Sequence, residues 1–575
     1  MPAPRTIVIQ GRRAVQRFAR VLLRPVVFHS ALLALLIAIF LLASFQVRAY
    51  AGDIQRDSFT IQGPIPTPVL RYTPTESHRL PVVAVIAHGY SADKEMMSAY
   101  AVDMAKQGIT VYTFDLPGHG ASPATYGGPT HSQVVDQLTR ALGQVVDYAT
   151  AHTPDPNTKL VLLGYSLGTI PVARYAIEHP NMQSLQATIL VAGILTDKPT
   201  LKTPRNLLVL SGQFDLPGIN DIARNTISAA CDTPVTTIRG TTYQCQVNAA
   251  DWRRQVILPG IDHISIVTAA STHDITLAWL GKTVDPRIGQ APVNADTRLH
   301  WMLVAFLAAL LAVAPIIKLL TIAFRLQPAE ARYAGEVGDT EGAPESMPRW
   351  LGYSILPVAL LAALLALWLA LPTDFWAPDP FPFTFLRQQV SADVAIFFLF
   401  AGAALTGILW GVKRVRAWVT LPPRREVVPQ ALIAAAVTAF LSLTLGALSS
   451  YAWESLSPEP QRLWRGAAYA LMIWPFFFGL RTLLYALGAR LKHRILADIG
   501  AGLLTIAALV GAIVMNFGRL SYLGILLPIV AIMILLLAAA ATWSRLTLKH
   551  PVMLVATLEA FLMAWILSAT LPLVS

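Results

Sequence analysis

Lys159-Leu160-Val161-Leu162-Leu163 runs straight into Gly164-Tyr165-Ser166-Leu167-Gly168, and this stretch decides the fold of the first half of the chain. A short, continuously apolar run of this kind reads as a buried strand, and residues 167–179 carry a helical pattern. Where a strand turns abruptly into a helix there is no room for Cβ atoms beside the turning residue. The two glycines around Ser166 therefore predict a sharp turn that holds the serine hydroxyl out, as a nucleophile requires. A GxSxG match alone is common by chance. The strand before it and the helix after it give this one its weight.

Four further strand-and-turn units flank it. Upstream, residues 82–87 end in His88-Gly89-Tyr90, and residues 109–114 end in Asp115-Leu116-Pro117-Gly118-His119-Gly120-Ala121-Ser122. Downstream, residues 206–211 run into Gly212-Gln213-Phe214-Asp215, and residues 254–258 into Pro259-Gly260-Ile261-Asp262-His263. In this order, residues 53–282 resemble the α/β-hydrolase superfamily. They are most similar to its branch of monoacylglycerol lipases, cinnamoyl-type esterases and serine aminopeptidases. The resemblance implies a mostly parallel, doubly wound sheet, an oxyanion loop at His88-Gly89-Tyr90, a DxxGxGxS turn, and a triad in the chain order Ser166, Asp215, His263. It also implies that the backbone N–H groups of Tyr90 and Leu167 are the oxyanion donors.

The chemistry asks for the same residue types. A serine hydroxyl is a weak nucleophile until a base takes its proton, which assigns the base to His263 and its orientation to Asp215. Asp262 adjoins His263 and is a rival acid, but sequence neighbours rarely place their side chains for triad geometry. His273 follows Ser271-Thr272, where a helix is expected to start and run through Leu280, and it reads as a surface histidine. His88 and His119 sit in glycine turns and read as structural hydrogen-bonders. No histidine and cysteine cluster has metal-ligand spacing, so neither a metal nor another cofactor is expected.

The rest of the chain is of another kind. Hydrophobic residues make up 54% of the chain and charged ones 13%, with a mean hydropathy of +0.53, a membrane protein's profile. A span needs about 20 apolar residues. Candidates lie at 26–45, 301–320, 351–371, 394–411, 431–448, 467–487, 499–516, 523–541 and 552–571, which predicts about nine spans. Ala49-Tyr50-Ala51 has the look of a signal-peptidase site, but the apolar run is long and a long basic arm precedes it, which favours a retained anchor. The expected organisation is a basic cytoplasmic arm at 1–25, a first transmembrane helix at 26–45, the α/β-hydrolase domain at 53–282, and an all-α polytopic membrane domain of about eight helices at 301–572.

Lysine and arginine bias orients the spans. Arg5, Arg12, Arg13, Arg17, Arg20 and Arg24 place the arm in the cytoplasm. Alternation then puts Lys413, Arg414, Arg416, Arg424 and Arg425 inside, followed by Arg490, Lys492 and Arg494, and by Arg545 and Lys549, while Arg462 and Arg465 fall outside. The hydrolase is thus expected to be extracytoplasmic in a multi-pass protein of the cell membrane. The net charge of +11 belongs largely to topology rather than to nucleic-acid binding. The two cysteines, Cys231 and Cys245, both lie between the acid and base loops, and a disulfide between them suits an oxidising compartment.

Three features bear on substrate. Many members of the superfamily insert a helical cap after the strand matching 187–192, but here only residues 193–205 precede the next strand. The extra chain lies instead at 216–252. The insertion, the membrane or bundle loops must then shape an acyl pocket. The loop 372–386 holds Phe375, Trp376, Phe381, Phe383 and Phe385 among four prolines, and reads either as an interfacial aromatic belt or as a hydrophobic lid. Within the apolar runs, Arg481 and Glu559 each sit roughly 12 to 13 Å from the cytoplasmic ends of their helices, at about 1.5 Å per residue. Equal depth permits an intramembrane ion pair, which is a functional hypothesis by default, although Arg481 could instead snorkel toward the cytoplasmic face. Residues 327–348 read as a flexible linker.

Together these features predict a membrane-embedded serine hydrolase, of esterase or lipase type, acting on a lipid or other apolar acyl ester among membrane lipids. A second reading is a transport or sensing protein whose hydrolase-like domain binds or processes a ligand. Acyl transfer and peptide cleavage by the same triad stand beside ester hydrolysis.

Overall fold

A computed structural model describes residues 25–326, 388–411, 423–488, 539–549 and 551–573, apart from 129, 154, 291–295, 452–454, 458 and 545–546. Within them a helix, α1 (Pro25–Ala49), leads into a nine-stranded sheet. Its strands are β1 (Gln55–Ile61), β2 (Thr67–Thr73), β3 (Val82–Ala87), β4 (Thr110–Phe114), β5 (Lys159–Tyr165), β6 (Leu185–Val191), β7 (Leu207–Phe214), β8 (Thr242–Asn248) and β9 (Asp251–Asp262). They lie in the order β1-β2-β4-β3-β5-β6-β7-β9-β8. The six from β4 to β9 are mutually parallel, and β1, β2 and β8 pair antiparallel at the edges.

The central strands are apolar on both faces because helices cover both. In β3, Val82, Ala84 and Ile86 pack with α2 (Ser98–Lys106) and with α6 (Ala270–Thr283), which closes the domain. Val83, Val85 and Ala87 face α3 (His131–Ala151), α4 (Thr169–Glu178) and α5 (Ile219–Ala230). Each of the fully buried valine and isoleucine chains among them contributes roughly 1.5–3 kcal/mol. The start of α3 is fixed by a capping box, with Gln133 N donating to Thr130 Oγ1 and Thr130 N donating to Gln133 Oε1. The sheet is of the α/β-hydrolase type.

After the sheet come α7 (Arg298–Ala323), α8 (Gln389–Gly411), α9 (Arg424–Ser449), α10 (Pro460–Gly488) and α11 (Val552–Thr570). Among the described residues five helices are long and apolar enough to cross a membrane: α1, α7, α9, α11 and the stretch Pro460–Leu483 of α10. α8 carries a shorter apolar stretch, Val394–Gly407. The described residues thus hold fewer spans than the expected nine; those at 351–371 and 499–516, and nearly all of that at 523–541, lie outside them. So do the arm at 1–24, the linker 327–348, most of the basic loop residues, and Phe375, Trp376, Phe381, Phe383 and Phe385.

α1 lies along α7, while α10 packs between α8 and α11. The approach of α8 to α10 is close enough that a Cβ on Gly402 would stand 2.5 Å from Phe476 N, the small-residue packing that apolar helices use. α10 begins earlier than the apolar pattern suggested. Arg462 and Arg465, expected in an outer loop, are in its first turns and buried, because helix geometry brings their guanidinium groups onto backbone carbonyls.

The hydrolase sits on one end of this bundle. Arg56 Nη2 donates to Ser450 O at 2.8 Å, and Arg298 Nη1 to Tyr451 O at 3.0 Å. Arg48 and Arg56 both lie over the Tyr451 ring, at 4.8 and 4.7 Å. The loop after β3 joins in, with Asp93 Oδ2 accepting from Ser455 N at 2.7 Å.

Candidate active site

β5 ends at Tyr165, and the chain reverses through a single 3-10 turn, Ser166–Gly168, into α4. Ser166 takes a φ of 49°, a left-handed conformation rare for a residue with a side chain. The glycines are needed here. A Cβ on Gly164 would stand 2.4 Å from Gly168 O, so the two arms of the turn touch backbone to backbone.

The turn delivers Ser166 Oγ to 3.1 Å from His263 Nε2, on the loop that ends β9. His263 Nδ1 lies 2.5 Å from Asp215 Oδ1, just after β7. Both Asp215 oxygens are engaged: Oδ1 also accepts from Leu216 N at 2.8 Å, and Oδ2 from Gly212 N at 3.1 Å. A carboxylate only accepts, so Nδ1 of the ring carries the hydrogen and Nε2 presents its lone pair to the serine. Tyr165 Oη donates to His263 O at 2.9 Å and fixes the His263 loop from beneath. The side chains of all three residues are buried.

The rivals lie elsewhere. Asp262 Oδ1 accepts from Ile264 N and Ser265 N, at 2.8 and 2.9 Å, and so braces the turn after His263 instead of touching its ring. His273 is not at the surface. It is 1% exposed, with Nδ1 lying 2.6 Å from Asp103 Oδ2 and Nε2 2.8 Å from Val267 O, because α6 packs that face against α2.

On the other side of Ser166 is the loop after β3. A Cβ on Gly89 would lie 3.1 Å from Ser166 Cβ, which brings this loop, and with it Tyr90, alongside the serine. Leu167 follows Ser166 in the same turn. His88 is a strut between loops, its Nε2 accepting from Leu116 N at 3.0 Å and its Nδ1 donating to Gly89 O at 2.7 Å. Burial pushes its pKa down to about 4 against the pull of Asp115, so the ring is neutral. His119 is likewise pushed down, by burial and then by His88. The expectation of structural hydrogen bonds agrees with this geometry for His88, and His119 Nδ1 donates to Pro117 O at 2.9 Å.

The sequence names Asp115 only as the head of the DxxGxGxS turn, and nothing in it pairs that residue with Lys94. Asp115 Oδ2 accepts from Lys94 Nζ at 2.7 Å and from Ala121 N at 2.9 Å, holding the turn after β4 from within. Burial disfavours the charged ammonium, but Asp115, Glu95 and Asp93 together outweigh it and raise the Lys94 pKa. The Asp93 carboxyl is pushed up by burial and by the neighbouring Glu95 and Asp115 charges. Nothing local in the sequence marks this cluster, whose members meet only when β3 and β4 pair.

The connection from β6 to β7 holds no helix, so no cap covers the site from there. The extra chain after Asp215 forms α5 and β8 and extends the sheet's far edge, with Cys231 and Cys245 joined by a disulfide. Two apolar side chains stand open at the serine's end of the strands, Ile194 in the loop after β6 at 38% and Phe214, the last residue of β7, at 66% exposed. In the bundle, Arg481 and Glu559 meet fork to fork: Nε lies 2.8 Å from Oε2, and Nη2 bonds Oε1. Among the described residues no group of His, Cys, Asp and Glu could hold a metal ion.

Residues 80–216 match the family model of serine aminopeptidases of the S33 type, a stretch that carries Tyr90, Ser166 and Asp215. No curated protein matches the chain. Among solved structures it is similar to a predicted CIB-like hydrolase from Thermoplasma acidophilum, with 16% identity over 40% of this chain and 98% of that one, at a TM-score of 0.30. It is similar also to XC6422 from Xanthomonas campestris, described as an a/b serine hydrolase without lid (21%, 41% and 97%, 0.29), and to a dienelactone hydrolase from Anabaena variabilis (16%, 40% and 97%, 0.28).

Proposed function

We propose that this protein is a membrane-embedded serine hydrolase that cleaves an acyl ester of a lipid or other apolar compound. The hydrogen-bonded series Ser166, His263, Asp215 carries the reading. Ser166 Oγ attacks the acyl carbon as His263 Nε2 takes its proton, and the Asp215 carboxylate stabilises the imidazolium that results. The oxyanion is received by the amides of Leu167 and Tyr90, each such donor being worth about 3 kcal/mol. His263 then protonates the leaving oxygen. Water, activated by the same base, releases the acyl group. No cofactor or metal takes part.

An apolar, membrane-derived substrate is supported by two observations. The loops after β3 and β4, at the serine's end of the sheet, lie against the bundle, and Phe214 and Ile194 are exposed at that end. We place the hydrolase, residues 53–282, outside the cytoplasm on the strength of the basic residues in the arm and inner loops, and of the disulfide.

The family model's description keeps peptide bonds open as a target of the same triad. The buried Arg481 and Glu559 pair favours a second reading, transport or sensing, since charges inside a span mark function more often than tethering. Fluorophosphonate labelling of membranes, with Ser166→Ala beside the wild type, tests the enzyme reading. Labelling that vanishes with Ser166, together with a lipid ester that accumulates in the variant's membranes, is the expected result. Equal labelling of both would remove it.

A further inference from the structure

The turn after β4 is gripped by the bundle as firmly as by Asp115. Arg462, 2% exposed in the first turn of α10, donates from Nη2 to Gly118 O at 3.1 Å and from Nε to Gly120 O at 3.2 Å. The same guanidinium donates from Nη1 to Ser568 O, Ala569 O and Leu571 O, at 3.0, 3.2 and 2.7 Å. These are the carbonyls that the end of α11 leaves without helical partners, where a cation is favoured. One side chain thus joins α10, the end of α11 and the hydrolase.

The segment after α11 completes the grip. Leu573 N donates to Gly118 O and Tyr126 N to Leu573 O, both at 2.7 Å, so residue 573 pairs with the two limbs of the turn as a short strand would. Contact is tight enough that a Cβ on Gly118, at a φ of 79°, would lie 2.4 Å from Leu573 O. From the turn a cluster of rings leads to the serine. Tyr126 and His119 each meet Tyr90 edge to face, at 5.9 and 5.6 Å between centroids, and His119 meets His88 at 5.2 Å. Tyr90 is on the loop whose glycine abuts Ser166.

We propose that Arg462 is a positioning residue for the reaction: with the segment at 571–573 it sets, through the 118–126 turn and its rings, where the Tyr90 amide stands, so the hydrolase site reaches working geometry only when seated on the bundle. The inference rests on the serine-hydrolase reading above. It gives the helices a part in chemistry, because a shift of α10 against α11 is passed to the oxyanion side of the site. Those two helices are also fastened by Arg481 and Glu559, nineteen residues further along α10, or about 28 Å at about 1.5 Å per residue.

The test uses the full-length protein in lipid nanodiscs, with p-nitrophenyl acetate as a short, water-soluble ester. Arg462→Gln should lower kcat about ten- to a hundredfold while KM moves less than about twofold, since displacing an oxyanion donor affects the transition state more than binding. Deleting residues 571–575 should reproduce the split, and carries the test if Arg462→Gln does not fold. Arg56→Gln, which removes another fastening to the bundle away from the turn, should leave kcat unchanged. Wild-type kcat in both Arg462→Gln and the deletion, or an equal loss in Arg56→Gln, overturns the proposal. If the wild type neither turns over the ester nor takes the fluorophosphonate, it is the hydrolase reading that fails. The positioning claim is then read from amide hydrogen exchange at 88–92 and 118–126. Faster exchange in Arg462→Gln than in Arg56→Gln upholds it, and no difference overturns it.

Discussion

Gly168 lies so close to Ala87 that a methyl group on it would stand 2.4 Å from the Ala87 carbonyl oxygen, and 2.6 Å from that of His88. The turn that carries Ser166 and the end of β3 are thus in backbone contact, with no side chain between them to swing aside. Gly168→Ala must push the two apart, at about 1–3 kcal/mol as for other overpacked sites. The expected outcome is a lower thermal transition and loss of fluorophosphonate labelling. A variant that labels like wild type would show that the contact can relax without moving Ser166.

Asp215 and Asp262 should separate cleanly. Asp215→Asn keeps the shape but lets an amide face Nδ1, which favours the wrong tautomer of His263, so kcat should fall about 10³- to 10⁴-fold. Asp262 bonds only backbone amides of its own turn among its hydrogen-bond partners described above, and Asp262→Asn should stay within about threefold of wild type. Steady-state kinetics on a short ester decides this, and a large loss in the second variant would reassign the acid.

His88 makes part of the stability depend on pH. Its folded pKa is pushed down to about 4, below the ordinary 6.5, so between these values the unfolded chain takes up a proton that the native state refuses. The contribution is present above pH 6.5 and lost as pH falls toward 4, by about 2 kcal/mol at pH 5. Asp93 and Glu95, both raised, act with opposite sign, so the effect is read as a difference. Denaturant melts at pH 7.5 and 5 should show His88→Asn losing less on acidification than wild type. Equal losses would mean that His88 is protonated where it stands.

Phe214 should set a preference for long acyl chains. It stands open at the serine's end of β7, one residue before Asp215. If an acyl chain lies across it, Phe214→Ser forfeits about 0.8 kcal/mol for each methylene no longer buried, which is about tenfold for two. Comparing kcat/KM for decanoyl and acetyl esters measures this, and parallel losses on both would place the acyl chain elsewhere.

What the sequence disclosed and what it hid divide along one line. The turn at Ser166, the two loops before it and the loops carrying Asp215 and His263 were legible because each needs glycines or polar residues at fixed offsets from a strand. Arg481 and Glu559 were legible because a charge inside an apolar run is costly and depth can be counted along a helix. His273 was misread, since Ser271-Thr272-His273-Asp274 has the polarity of a surface turn while its partner, Asp103, lies 170 residues earlier in the chain. Lys94 with Asp115, and Arg462 with the 118–126 turn, were hidden for the same reason. Their meaning depends on which loops the sheet and bundle bring together, and no local pattern records that.

α1 and α7 run side by side, with Ala43 and Val47 of one against Ala305 of the other. The hydrolase therefore leaves and re-enters the bundle at almost the same point. A chain that departs and returns through one doorway can be shortened to a simple hairpin without reordering the helices on either side. Joining Ala49 to Arg298 through a few polar residues should leave a bundle that still assembles, with the seat for the 118–126 turn bare and open to whatever else can fill it.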